Sequence, residues 1–179
     1  MRDTSRNLLI VGMIAGGAMG VPVDAAAKPA VHSVEPIRQM ALSDAKIVQF
    51  IAARPALDGI LADVLPGVAA DPQLMRRLND TARKNGFANF DDYEAVATNI
   101  VWILSGIDPL SKKYIGVQAV TKLEVADLLS DKTLSARDKK LRFEALHAQM
   151  QSAAPVRYAA NISLVTKLYD QLLAKAASN

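Results

Sequence analysis

The chain has 179 residues, 51% hydrophobic and 22% charged, with nine glycines, eight prolines and no cysteine, the composition of an ordinary globular chain of one domain. The lack of cysteine excludes disulfides, thiol nucleophiles, thiolate zinc sites, iron–sulfur clusters, covalently attached haem and a lipidated-cysteine anchor. Net charge is +3, from 21 basic and 18 acidic residues with the signs interleaved, and aromatics are 5% with a single tryptophan, too few for the stacking platforms of single-stranded nucleic acid binders; no nucleic-acid partner is expected.

The first element is an address. Arg2 and Arg6 precede the apolar run Leu8 to Val23, and Asp24-Ala25-Ala26-Ala27 follows, the basic, apolar, small-x-small order of a secretory signal peptide cleaved after Ala27. The run is 16 residues long, holds four glycines and is interrupted by Pro22, whereas a membrane span takes about 20 predominantly apolar residues. The sequence therefore divides into a signal peptide over 1–27, a flexible lead-in over 28–42 and a helical domain over 43–179, bound for a bacterial periplasm or for secretion. That compartment holds no ATP and no nicotinamide pool. The dinucleotide, P-loop, nucleophile-elbow and zincin motifs are correspondingly missing from the sequence.

In the body, periodicity points to helices throughout. Ser43 is an N-cap for a helix carrying Ile47, Phe50 and Ile51. A break or kink is expected at Arg54-Pro55, before a second segment with Leu57, Ile60, Leu61, Val64 and Leu65 that ends at Pro66-Gly67. Asp71-Pro72 opens the next helix, and Asn85-Gly86 closes it with Phe87 folding back on the cap. Asn89 opens the most apolar helix, from Tyr93 through Val96, Ile100, Ile103 and Leu104 to Ile107, greasy on more than one face. Asp108-Pro109 is expected to start a helix of about five turns from Leu110 to Leu128, closed by Ser130-Asp131-Lys132. Ser135 with Asp138 has the form of a capping box before a charged helix running to Met150, and one last helix runs from Tyr158 to Ala176. The expected fold is all-α, an antiparallel bundle of five to six helices, large enough to bury a core without disulfides or metal.

Few side chains offer chemistry. Glu144 and His147 stand three apart on a helix, as in carboxylate-bridged metal bundles, yet this is half of such a site, because the body holds only two other glutamates, Glu94 and Glu124, and no second histidine. Haem on His147 with a methionine fares no better: Met150 lies one turn away on the same helix and cannot be the opposite ligand. No cofactor or metal is expected. Asp91, Asp92 and Glu94 complement the N-terminal dipole of their helix. Arg76, Arg77, Arg83 and Lys84 make a basic patch able to meet an anionic envelope surface. An enzyme would need convergent carboxylates around Glu124, Asp127 or Glu144, and no catalytic residue is expected.

The run Leu42-Ser43-Asp44 to Arg54-Pro55-Ala56-Leu57, together with Asn85-Gly86-Phe87-Ala88-Asn89-Phe90-Asp91-Asp92-Tyr93, resembles small secreted all-helical proteins of Gram-negative bacteria whose function is unassigned. Its marker is a Gly-Phe turn, a cap and an aromatic in the first turn of a long apolar helix. The resemblance covers residues 43 to 108 and implies export and an all-helical fold, with no site residue. The expectation is thus a non-enzymatic periplasmic protein that binds a protein partner or an amphipathic ligand through apolar helix faces. The alternative is a carrier for a lipid-like molecule in a cavity lined by Ile100, Val101, Leu104, Tyr114, Val117, Ile162 and Val165.

Overall fold

Four helices begin where a short polar side chain meets the free backbone N–H groups of a first turn. In the computed structural model, which describes residues 37–62 and 71–174, Ser43 accepts from the Lys46 amide ahead of α1 (Asp44–Leu61). Asp71 accepts from Gln73 and Leu74 ahead of α2 (Pro72–Lys84), with Pro72 at the first helical position. Asn89 accepts from Asp92 ahead of α3 (Phe90–Leu104). Ser135 accepts from the Asp138 amide ahead of α5 (Ala136–Ser152). The return half of that last box is missing, because the shorter Asp138 side chain is held by the Ser135 hydroxyl at 2.7 Å. The end of α2 is a Schellman turn: Phe87 N–H reaches Ala82 C=O at 3.0 Å and Gly86 N–H reaches Arg83 C=O at 2.9 Å, with Gly86 at φ +83° and Phe87 buried.

The chain is predominantly helical, with seven helices among the described residues. It departs from expectation at four places. First, α1 continues as one helix through Pro55, so no break falls there. A proline inside a helix costs about 3 kcal/mol, but Ile47, Phe50 and Leu57 on either side of it are buried, and each such side chain contributes about 1.5–3 kcal/mol. Packing therefore outweighs the local penalty. Arg54, just before the proline, is itself buried, with Nε donating to Asp58 Oδ2 at 3.2 Å and Nη1 to the Leu172 carbonyl at 3.0 Å.

Second, Asp108-Pro109 starts a β-turn and not a helix. Asp108 accepts from the Leu110 and Ser111 amides, and the short antiparallel strands β1 (Ile107–Asp108) and β2 (Lys113–Tyr114) pair across the turn. Helix α4 (Val117–Ser130) begins only after Gly116, which at φ +92° turns the chain without a side-chain cap. Third, the last helix is two, α6 (Ala159–Lys167) and α7 (Tyr169–Ala174), separated at Leu168. Leu168 leaves helical geometry, and both it and Tyr169 bury their side chains in the core.

Fourth, the end of the lead-in is not loose. Residues 37–42 lie extended against the body, with Leu42 buried and Ile37 and Met40 packed on the core. The expected signal peptide over 1–27, the lead-in over 28–36 and the helix end at Pro66-Gly67 lie outside the described residues.

The core is built around α3. Val96, Ile100 and Ile103 meet Ile47 and Leu57 of α1, Leu78 of α2, and Val165 and Leu172 of α6 and α7 in one cluster. At its α1–α3 end Tyr93 touches three rings: Phe50 and Phe90 stack on it at 5.3 and 5.9 Å, and Phe87 meets it edge-on at 5.4 Å. Almost all of the expected greasy helix is therefore sealed inside, and Val101 is the exception.

Candidate functional site

Exposed apolar surface lies elsewhere. Of the nine large hydrophobic side chains left exposed among the described residues, six fall between Leu110 and Phe143: Leu110, Ile115, Leu123, Leu129, Leu141 and Phe143. The last four belong to α4 and α5, which pair as a helical hairpin. Helix α4 inserts Val117, Val120 and Thr121 into the interior. No described residue of α5 is buried, and its principal neighbour is α4.

The sequence explains this. In α5 the residues Leu141, Ala145 and Ala148 recur at four and three positions and form the apolar stripe, but all three face solvent, while Leu146 and Met150 are the partly covered side chains. A helix with two narrow apolar stripes can bury only one of them against a single neighbour. The uncovered stripe is flanked by Arg137, Lys140 and Arg142, and Lys140 reaches Glu144 at 4.0 Å.

On one face of the hairpin Lys122 and Val125 of α4 and Phe143, His147 and Met150 of α5 line a small, largely apolar groove of about 120 Å³. The Phe143 and His147 rings stack across one turn at 6.2 Å. Lys122 also borders a wider, open cleft of about 450 Å³ between the start of α4 and the 153–156 segment, walled by Tyr114, Val117, Pro155 and Val156. The two spaces thus share one lysine in their walls. Burial pushes the Tyr114 phenol up from its usual range, so the cleft presents it as a neutral hydroxyl across the physiological range.

Of the seven residues expected to line a carrier cavity, Tyr114 and Val117 border this cleft. Ile100 and Val165 are fully buried in the packed core; Leu104 and Ile162 pack on its edge and Val101 is exposed. Glu144 and His147 are both exposed, and His147 lies 3.5 Å from Gln151. Among the described residues no three His, Asp or Glu side chains gather as a metal site, and no helix is long and apolar enough to cross a membrane. Arg76, Arg77, Arg83 and Lys84 are exposed on α2; Arg83 pairs with Asp80 at 3.5 Å and its Nε donates to the Ala88 carbonyl.

The acidic cluster splits by role. Asp92 accepts from the Ala88 amide and from Lys46 Nζ, both at 3.1 Å, and these contacts, led by the Ala88 N–H, hold its carboxyl below the usual range. Burial, with Asp91 nearby, pushes Glu94 up.

Two deeply buried polar residues were not singled out by the sequence reading. Asn99 of α3 and Asn161 of α6 are both 3% exposed, and both spend their amides on the backbone of the extended 38–42 segment. The signal was an asparagine on the apolar face of a helix, between Val96 and Ile100, where pattern alone asks for an apolar residue. Compared with protein-family models, curated proteins and solved structures, the chain finds no match.

Proposed function

We propose that this is an exported, non-enzymatic binding protein, an antiparallel helical bundle that holds an amphipathic, acidic segment of a partner protein against the α4–α5 hairpin. The observation that carries the reading is the gathering of exposed leucines and Phe143 on a helix pair whose outer member has no fully buried side chain among the described residues. Large exposed apolar side chains gathered on one element mark interaction surfaces. Lys122 at the junction of groove and cleft, and Lys140 and Arg142 along α5, supply the positive rim that selects acidic over basic partners. The basic, apolar, small-residue order at the N-terminus supports export.

A second reading has one observation in its favour. The open cleft of about 450 Å³ lies in the size range of small-molecule pockets, which suits an acyl chain with an acidic head beside Lys122.

The test uses a labelled helical peptide of leucine and glutamate at amphipathic spacing, followed by fluorescence anisotropy against the full chain. Binding with Kd below about 100 μM, lost on Leu129→Ser with Phe143→Ser while the melting temperature holds, is expected. A lysine–leucine peptide binding equally well removes the charge argument. Binding of decanoate in place of the peptide favours the carrier reading, and no binding of either overturns both. Export is tested by sequencing the N-terminus of protein recovered from the cell envelope, which should begin at Lys28; an intact Met1 would refute cleavage.

A further inference from the structure

We infer that the channel between α3 and α6 is a peptide-binding slot, occupied in this molecule by the chain's own residues 38–42 and able to exchange them for an equivalent extended segment from another chain.

The slot reads backbone. Asn99 Oδ1 accepts from the Met40 N–H at 3.0 Å, and Asn99 Nδ2 donates to the Arg38 carbonyl at 3.1 Å. Two residues on, Asn161 Oδ1 accepts from the Leu42 N–H at 2.9 Å, and Asn161 Nδ2 donates to the Met40 carbonyl at 2.8 Å. Residues 38, 40 and 42 all turn their backbone groups to the same side, the period of an extended strand. Each carboxamide grips one N–H and one C=O as a neighbouring strand would. The odd position engages the body the other way: Gln39 Nε2 donates to the Pro155 carbonyl at 2.8 Å, and Gln39 Oε1 accepts from the Arg157 N–H at 2.7 Å.

Three features make this a site and not simply a loop. The contacts come from side chains on preformed helices, so the slot exists independently of the strap's own secondary structure. Both asparagines are almost wholly buried, and without a strap the Asn161 amide loses both bonds described above while Asn99 keeps its bond to the Ala95 carbonyl at 2.8 Å. A vacant slot is therefore unfavourable, and another backbone can fill it. Finally, Arg38, Ala41 and Ser43 face solvent, so along these positions no described residue covers the strap. Recognition runs through N–H and C=O groups plus apolar side chains at two alternate positions, Met40 and Leu42. The chemical class of ligand is thus an extended peptide with large apolar residues two apart and free N–H groups at both, the mode used when a peptide adds to a sheet edge.

The strap competes from a tether, at an effective concentration in the millimolar range. The experiment therefore ejects it from the full chain with Met40→Pro and Leu42→Pro, which delete both gripped N–H groups, and adds a labelled Ile37–Ser43 peptide. The substituted chain should bind the peptide at least about tenfold more tightly than the unsubstituted chain. Adding Asn161→Leu should abolish that binding, and a peptide carrying the same two prolines should not bind. A folded double-proline chain that ignores the peptide overturns the proposal. Should the double-proline chain fail to fold, hydrogen exchange on the unsubstituted protein decides. Met40 and Leu42 amides exchanging at least about a hundredfold faster than those of Ile47 and Ile100 show a strap that opens alone; equal rates show a strap inseparable from the core, and the slot reading falls.

Discussion

Replacing Tyr93 with leucine tests whether the ring cluster at the α1–α3 junction holds the fold through its aromatic geometry or merely through apolar volume. Tyr93 is 5% exposed and touches Phe50, Phe87 and Phe90 at centroid distances of 5.3, 5.4 and 5.9 Å. Aromatic pairs of this kind contribute about 0.5–1.5 kcal/mol each beyond area burial, so losing three costs roughly 1.5–4.5 kcal/mol, centred near 3. With a urea dependence of about 1.5 kcal/mol per molar, the unfolding midpoint should drop by about 2 M. The natural reporter is Trp102, the sole tryptophan, 8% exposed on α3, with far-UV circular dichroism as the second probe. Tyr93→Phe, which keeps all three ring contacts, should lower the midpoint far less. A Phe50→Leu, Tyr93→Leu cycle should leave a coupling of about 1 kcal/mol. The reasoning is refuted if Tyr93→Leu moves the midpoint by less than about 0.3 M, or if the two substitutions add with no coupling.

Further outcomes follow from single contacts. Gly86→Ala places a Cβ against the Gln49 amide that bonds the Asn85 carbonyl, at a residue with φ +83°; a loss of about 1–2 kcal/mol in denaturant melts is expected, and Gly86→Asn should recover part of it. Asp92 has a folded pKa below its unfolded one, so its ionised form stabilises the fold above the ordinary carboxylate pKa, and that contribution disappears as pH falls through the folded value. The stability gap between the parent and Asp92→Asn should therefore narrow between about pH 5 and pH 2, and a gap independent of pH contradicts the assignment. Helix α5, which buries no described residue, should show the fastest amide exchange of the long helices, while α3 exchanges only with global unfolding; equal protection of the two would mean that the hairpin is fixed by contacts other than those seen.

What could be read from the sequence was whatever chemistry closes within a few residues. Ser43, Asp71, Asn89 and Ser135 cap the helices they were expected to cap, and Phe87 folds back over Gly86 as the turn demands. Where two local solutions compete, the wrong one was the more familiar. Asp108-Pro109 looks like a helix start, but its carboxylate serves a β-turn whose strands pair over two residues. Pro55 looks like a break until the buried residues on both sides of it are counted. The candidate surfaces were legible only in part. The Leu141, Ala145, Ala148 stripe was visible as a period, but which stripe α5 buries depends on its having a single principal neighbour, and periodicity cannot count neighbours. The Asn99 and Asn161 grips join residues 59 to 121 positions apart, a distance no local pattern spans.

The guanidinium of Arg54 ends on the carbonyl of Leu172, 118 residues later. As the chain emerges to fold, that cation belongs to α1, while its acceptor is almost the last of the described residues to appear. Until then the nascent domain lacks its keystone, and the cation must stay hydrated or lean on Asp58 alone. Closure is thereby deferred until Leu172 is present, and a chain truncated before it should be digested by proteases from α1 onward.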